Sequence, residues 1–264
     1  LPLSFNLMDM EYYNYLDWRQ ISSKDFYSHI RDGEKCTTSA VNVDAFIKAI
    51  EPKLQNGEDV LCITFSSGLS NTYNAAKLAC ENLSPKYPNC KVYAVDTLSG
   101  SMGEGLMVYL AAQEKKKGKS IEEVRDYVEE NRLHICHWFT VEDLSHLKRG
   151  GRISAATALI GTMLNIKPVL RVDDEGHLVN VGKARGRRAS LTALVDHMEK
   201  SAIDTASQTV FISHGDSQED ADFVAEEIKK RMGTNKVITN YMGPVIGTHA
   251  GPGAIALFFL GDKR

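Results

Sequence analysis

The chain has 264 residues, of which 43% are apolar, 25% charged and 8% aromatic, and this excludes a disordered, collagenous or disulfide-scaffold protein. Its 31 basic and 34 acidic residues give a formal net charge of −3, which is no general signature of nucleic-acid binding. No apolar run in the sequence approaches the roughly 20 residues that span a bilayer.

The first ten residues carry neither a basic segment nor a small-residue cleavage site, so no secretory signal is predicted. They also lack an initiating Met and begin in a strand pattern, and we expect the chain to start inside a longer protein. The 5 cysteines are odd in number and show no Cys-x-x-Cys spacing. A reducing, cytoplasmic location is therefore predicted.

The first half of the sequence predicts alternating strands and helices. In chain order, the predicted elements are a hairpin of residues 1–7 and 12–18, helices over 26–30 and 43–54, a strand over 60–65, a helix over 73–82, a strand over 91–95 and a helix over 106–117. The run at 60–65 is continuously apolar, as is typical of a strand buried on both faces. Strand, helix and strand in this order predict a βαβ unit and a parallel sheet.

The second half adds a different pattern. Its predicted elements are a helix over 121–131, a strand over 134–140, helices over 141–147 and 155–164, a hairpin of 169–172 and 177–181, and two helix–strand pairs over 189–199 with 209–213 and 221–232 with 237–241. The hairpin implies antiparallel pairing. We therefore predict an α/β fold of two domains. Residues 1–140 would form a Rossmann-like parallel sheet, and residues 141–264 a mixed α/β domain.

The strongest candidate site is a Ser-rich loop at residues 66–72, between a buried strand and a helix. Ligands of open α/β folds bind at this edge, where free helix N–H groups favour an anion. Helix capping needs only one hydroxyl, whereas the loop carries Ser66, Ser67, Ser70 and Thr72. Neither Ser67 nor Ser70 has the Gly-x-Ser-x-Gly spacing of a nucleophile elbow. We interpret the loop as an anion site, with a simple helix cap as the alternative.

Two further segments carry polar groups. Thr38 and Ser39 form a second hydroxyl pair, for which a helix cap and a ligand contact are both open. Residues 247–253 place three glycines and a proline around His249, which predicts a fixed loop that presents an imidazole. A hydrogen-bonded structural histidine is the alternative. His137 lacks the neighbours of a metal ligand and is interpreted as structural.

Basic residues concentrate in residues 148–188, which contain nine basic and three acidic side chains. A solvated surface is the simple interpretation, and a phosphate-bearing ligand, an acidic partner or RNA are the alternatives. No aromatic residues interleave with the basic ones as they do in RNP motifs, so RNA binding is not favoured.

Five segments of the sequence are similar to motifs of one known protein family and follow the same order along the chain. They are Thr38-Ser39, residues 66–73 (SSGLSNTY), Val95-Asp96-Thr97, residues 147–154 (LKRGGRIS) and residues 243–253 (GPVIGTHAGPG). Together they resemble the DegV family of fatty-acid-binding proteins, which includes the FakB carrier subunits of bacterial fatty acid kinase. The resemblance implies two α/β domains with one long-chain fatty acid between them. The Asp-Ser-Thr segment on the family's first strand has no counterpart here, so we expect the N-terminal domain to lack that strand.

The resemblance also implies a site for the fatty-acid carboxylate. The residues that it implies are Thr38, Ser67, His249, Ser39, Ser66, Gly68 and Arg185. Thr38 and Ser67 would donate hydrogen bonds to the carboxylate, with His249 nearby. Hydroxyl donors at a helix N-terminus stabilise a carboxylate without a full ion pair.

By the same resemblance, the protein is a carrier without a catalytic residue, a metal or a cofactor, and the fatty acid is its ligand. It would present the carboxylate to an ATP-binding fatty acid kinase subunit. The excess of basic residues over 148–188 suggests the docking surface for that subunit, which would comprise Arg149, Arg152 and Arg187. We expect no nucleic-acid partner, and a transient contact with a membrane surface. The alternative function is a hydrolase or phosphotransferase that uses Ser67 or Ser70 with His249 as the base.

Overall fold

The computed structural model describes residues 1–142, 144–154 and 165–264. Its strands are β1 (Ser4–Leu7), β2 (Met10–Tyr13), β3 (Cys36–Thr38), β4 (Val60–Thr64), β5 (Val92–Asp96), β6 (Ile135–Thr140), β7 (Ile166–Val172), β8 (Leu178–Arg185), β9 (Thr209–His214), β10 (Lys236–Tyr241) and β11 (Ile255–Leu260). Its helices are α1 (Ser23–Arg31), α2 (Val43–Gln55), α3 (Thr72–Leu83), α4 (Met102–Lys116), α5 (Ile121–Asn131), α6 (Ser145–Arg149), α7 (Arg187–Ser201), α8 (Gln218–Met232) and α9 (Pro244–Ala250). The predicted helix over 155–164 lies outside the described residues.

The strands form three sheets. An antiparallel sheet has the order β2-β1-β3, and a parallel pair joins β4 to β5. The third sheet has six strands in the order β10-β9-β11-β6-β7-β8, and β9 and β10 are its parallel pair. The predicted fold class, a parallel sheet together with a mixed sheet, is confirmed. Strand β6 ends at residue 140 and belongs to the six-stranded sheet, and the division of the chain into domains at that residue stays a prediction.

Side-chain caps fix where several helices begin. Ser22 accepts a hydrogen bond from the Asp25 amide ahead of α1, and Asn42 accepts one from the Ala45 amide ahead of α2. Because Asn42 caps α2, the Thr38-Ser39 pair is not its cap. Thr38 instead lies in β3, where it pairs with Phe5 of β1. This places the Thr38 hydroxyl at a sheet rather than at a helix end.

Residues 247–250 of the predicted loop belong to helix α9 and residues 251–253 follow its end, so the prediction of a loop was wrong for the part that carries His249. Pro244 occupies the first turn of α9, where a missing N–H costs nothing, and Gly251 ends the helix at φ 80°. Gly247 is required by packing, since a Cβ there would lie 2.5 Å from Oη of Tyr27. These glycines therefore serve close packing and helix termination, and His249 lies in the last helical turn.

The six-stranded sheet is covered on both faces. In β11, Phe258 packs in the cluster that contains α1 and α4, and Phe259 packs in the cluster that contains α7 and α8. Alternation of this kind on a strand with two buried faces produces a continuous apolar run. A third cluster joins α2 to α3 through Ile50 and Leu83. Within the described residues, no helix is long and apolar enough to cross a membrane.

Candidate functional site

A cavity of about 900 Å³ is lined by residues of α2, β4, α4, β6, β11 and α9. Its volume lies in the range of roughly 300–1,000 Å³ that is usual for ligand cavities. Most of the wall is apolar, and its large side chains include Phe46, Ile50, Ile63, Phe139 and Phe258. A wall of this composition suits a ligand with a long hydrocarbon part.

We call four polar side chains of the wall the polar cluster: Thr38, Ser70, Arg152 and His249. Oγ1 of Thr38 and Nε2 of His249 are 2.7 Å apart. Nε of Arg152 donates to the Leu69 carbonyl at 3.3 Å, which ties the guanidinium to the Ser-rich loop beside Ser70. The cluster thus combines the hydroxyl groups of Thr38 and Ser70, the imidazole of His249 and the permanent positive charge of Arg152.

The His249 imidazole is neutral at pH 7. Burial, with a smaller effect from the positive charge of Arg152, lowers the pKa of His249 to about 4. Its Nδ1 is buried and has no hydrogen-bond partner among the described residues. A Cβ added at Gly150 would lie 2.2 Å from this Nδ1, so the glycine makes room for the ring. With His249 neutral, Arg152 gives the cluster a net positive charge, which suits an anion.

The first half of the Ser-rich loop holds the loop in place. Oγ of Ser66 donates to the Gly176 carbonyl at 2.9 Å and accepts from the Gly68 amide at 3.1 Å. A Cβ at Gly68 would lie 2.8 Å from the carbonyl oxygen of Glu175. Ser66 and Gly68 are therefore packed against the turn between β7 and β8, and the residues that line the cavity come from the second half of the loop.

The structure separates the residues that were expected at the carboxylate site. Thr38, Ser39 and His249 lie on the cavity wall. Ser67 is exposed and lies outside the wall, and so does Arg185 at the end of β8. Ser66 and Gly68 support the loop from behind. Ser70 belongs to the loop that was predicted as an anion site, but it was not among the residues expected to contact the carboxylate, because the direction of each loop side chain depends on contacts with a distant hairpin.

The three arginines that were expected to form a docking surface have different environments. Arg152 belongs to the cavity wall. Nη2 of Arg187 pairs with Oδ2 of Asp220 at 2.7 Å, in a partly buried contact between α7 and α8. Arg149 is exposed, with Nη2 3.2 Å from Nδ1 of His146. Arg152 was missed as a cavity residue because a basic turn resembles a surface feature in sequence.

The hydrolase alternative requires a serine hydroxyl within hydrogen-bond reach of the His249 imidazole. In the structure His249 Nε2 bonds to Thr38, Oγ of Ser70 lies 2.9 Å from Oγ1 of Thr72, and Ser67 is exposed. Among the residues that the structure describes, none supplies His249 Nδ1 with the acceptor that orients a catalytic base. The described part of the chain contains no group of three or more His, Cys, Asp or Glu side chains that could hold a metal ion.

Fold and site together define a mixed α/β protein that encloses an apolar cavity with a polar cluster in its wall. The chain belongs to the DegV family, since residues 1–262 match the family described as "Uncharacterised protein, DegV family". A DegV domain-containing protein of Clostridium perfringens is 45% identical over 264 residues, which cover 100% of this chain and 90% of that protein. The resemblance predicted from the sequence motifs is confirmed.

Solved structures share this fold. A fatty-acid-binding DegV family protein of Thermus thermophilus is 28% identical, with a TM-score of 0.86 over 98% of this chain and 90% of that one. The Streptococcus pneumoniae Fatty Acid Kinase (Fak) B3 protein, loaded with linoleic acid, is 21% identical, with a TM-score of 0.86 over 99% of this chain and 90% of that one. At this lower identity the likeness shows the fold alone.

Proposed function

We propose that this protein binds one long-chain fatty acid, with the hydrocarbon chain in the 900 Å³ cavity and the carboxylate at the polar cluster. The observation that carries the proposal is an apolar cavity whose wall includes the bonded Thr38–His249 pair beside Arg152. The fatty acid bound by the Thermus thermophilus relative supports it. The cavity wall draws on both proposed domains, residues 1–140 and 141–264, so the ligand would lie between them.

The energetics favour this ligand. Each buried CH₂ group contributes about 0.8 kcal/mol, so the hydrocarbon chain supplies most of the binding free energy. The carboxylate accepts hydrogen bonds only, and Arg152 offers donors and a charge. When neutral His249 carries its proton on Nε2, it donates to Oγ1 of Thr38, and the Thr38 hydroxyl is then free to donate to the carboxylate. We assign Ser70 rather than Ser67 to this site because Ser70 lines the cavity.

Mass spectrometry of the purified protein, native and then denatured, tests the ligand assignment. We expect a fatty acid near one per chain. Thr38→Val and Arg152→Gln should each weaken binding of added fatty acid by about tenfold or more, because the first removes a hydroxyl donor and the second a positive charge, and a hydrogen bond to a charged group is worth roughly 1.5–3 kcal/mol. Ser67→Ala is the matched control and should leave binding unchanged, since Ser67 is exposed outside the cavity. A protein that is purified empty and takes up no added fatty acid would contradict the proposal.

The finer function that we propose is presentation of the bound carboxylate to an ATP-dependent kinase subunit, with no catalytic residue in this chain. The shared fold of the Fak B3 protein supports it. Lys148 and Arg149, exposed at the end of α6, precede Arg152 in the chain and offer a basic surface near the polar cluster.

Acyl-phosphate formation with a fatty acid kinase subunit tests this finer function. Arg149→Glu should lower the rate of phosphorylation while fatty-acid binding stays unchanged. Arg187 is unsuitable for this test because its ion pair with Asp220 supports the fold. An unchanged rate of phosphorylation with Arg149→Glu would show that α6 is not part of the docking surface. Failure to form acyl-phosphate with any kinase subunit would contradict the carrier role.

A further inference from the structure

The proposed binding of a fatty acid leaves one nucleophilic side chain of the cavity wall without a role. Cys62 comes from the middle of β4, is half-buried and lines the cavity. All 5 cysteines of the chain have free thiols, and Cys62 is the one that belongs to the described cavity wall. It packs in the cluster that joins α2 to α3, as do Phe46 and Ile50 of the same wall. The hydrocarbon part of a bound ligand would therefore pass close to the Cys62 thiol.

A second thiol lies next to the first. Cys80 in α3 is buried, at 5% exposure, and lies outside the cavity wall. Its thiol donates a hydrogen bond to the sulfur of Cys62. This bond is the main reason that the pKa of Cys62 is lowered and that of Cys80 is raised, and burial raises the pKa of both. The bond therefore favours the thiolate of Cys62, which is the nucleophilic form, and keeps the proton on Cys80.

These two thiols meet the requirements of a two-step oxidation. A thiolate that a peroxide oxidises becomes a sulfenic acid, and a second thiol within reach converts the sulfenic acid into a disulfide. Cys62 is the thiol that a ligand in the cavity can contact, and Cys80 is the thiol bonded to it. The cavity also selects the peroxide, because a mostly apolar wall with a cationic polar cluster suits a fatty acid rather than hydrogen peroxide.

We propose that the protein reduces a fatty-acid hydroperoxide bound in the cavity, with Cys62 as the attacking thiol and Cys80 as the resolving thiol. The inference rests on the proposed function, since the hydrocarbon chain must occupy this cavity to bring the peroxide to β4. The reaction is separate from phosphorylation of the carboxylate, to which this chain contributes no reacting group.

The reaction balances with the two thiols as the only reductant. The Cys62 thiolate attacks the terminal oxygen of the hydroperoxide, and the O–O bond breaks as the S–O bond forms. The alkoxide takes up the proton that Cys62 released and becomes a hydroxy fatty acid, while Cys62 becomes a sulfenic acid. The Cys80 sulfur then attacks the Cys62 sulfur, and the hydroxyl group leaves with the Cys80 proton as water. One hydroperoxide and two thiols thus give one hydroxy fatty acid, one water and one disulfide.

A single-turnover experiment with the reduced protein tests the activity. The probes are the positional isomers of linoleic acid hydroperoxide, and mass spectrometry follows the hydroxy acid and the disulfide. We expect both products near one per chain with at least one isomer. This isomer should react at least about tenfold faster than tert-butyl hydroperoxide, because the cavity holds it beside Cys62. An excess of linoleic acid should slow the reaction, since it competes for the cavity.

Three variants assign the roles of the thiols. Cys62→Ser should form no hydroxy acid. Cys80→Ser should still form it, but Cys62 should remain a sulfenic acid that dimedone captures, because no resolving thiol is present. Cys90→Ser, a half-buried free cysteine outside the described cavity wall, is the matched control and should behave as the wild type. Binding of linoleic acid to each variant shows that its cavity is intact.

The outcomes separate the two proposals. If linoleic acid binds and no hydroperoxide isomer is reduced, the thiol activity is refuted and fatty-acid binding stands. Equal rates with tert-butyl hydroperoxide, or an undiminished rate in Cys62→Ser, would show that the reaction occurs outside the cavity and would also refute the proposal. If no fatty acid of any kind binds, the proposed function fails, and the activity in the cavity fails with it.

Discussion

Glu104 lies in the cavity wall, in the first turn of α4. In the ligand-free protein, the free energy of unfolding of Glu104→Gln should increase relative to that of the wild type as the pH rises from acidic to neutral. Burial raises the pKa of Glu104 from an ordinary value of 4.5 to about 8. Between these two values the unfolded chain releases the proton while the folded protein keeps it, so the wild type loses about 1.4 kcal/mol of stability for each pH unit of increase. Gln has no such dependence.

The size of the effect follows from the pH interval. From about pH 5 to about pH 7, the free energy of unfolding of Glu104→Gln should rise by about 2–3 kcal/mol relative to the wild type. Urea unfolding of both proteins at the two pH values measures this difference, and other titrating groups cancel in the comparison. Glu114→Gln serves as a control, since the Glu114 carboxylate already pairs with the exposed Lys117. A difference that does not change with pH would show that Glu104 ionises normally in the folded protein, and the predicted effect of burial on its pKa would be wrong.

Three further predictions concern packing and ion pairs. Gly150→Ala should destabilise the protein by about 1–3 kcal/mol and weaken fatty-acid binding, because its Cβ would lie 2.2 Å from Nδ1 of His249; normal affinity in a binding assay would contradict this. Gly105→Ala should stabilise the protein by up to about 1 kcal/mol, since nothing lies within 4 Å of its Cβ, and a lower midpoint in urea would argue against it. Arg187→Ala should cost about 1.5–3 kcal/mol, because Asp220 loses the guanidinium and keeps only the Ser217 hydroxyl as a side-chain donor, and an unchanged Tm would show that this ion pair is dispensable.

The parts of the fold that depend on residues close together in the chain could be predicted from the sequence. The β4–α3–β5 unit follows from an apolar run, a loop and an amphipathic segment, all within forty residues of each other. Strand β3 has three residues, too few for a periodicity, and its partner β1 lies about thirty residues earlier. Helix α9 was hidden because its glycines signal a loop, whereas Tyr27, far away in sequence, requires one of them.

The site is harder to predict because it joins distant parts of the chain. Thr38 and His249 are 211 residues apart, and only the family resemblance brought them together in the sequence analysis. The choice between Ser67 and Ser70 depends on how Ser66 anchors the loop to the β7–β8 turn. Glu104 lies in a glycine-rich segment whose composition does not show which side chain will face inward.

The position of β11 has a consequence for the synthesis of the chain. This strand follows every other described strand in sequence, yet it lies between β9 and β6 and is antiparallel to both. Until residues 255–260 leave the ribosome, β6–β7–β8 and β9–β10 are separate ribbons, each with an open edge. Such edges pair readily with other chains. The two ribbons therefore keep their open edges exposed until β11 has been synthesised, and this one strand then joins them into the six-stranded sheet.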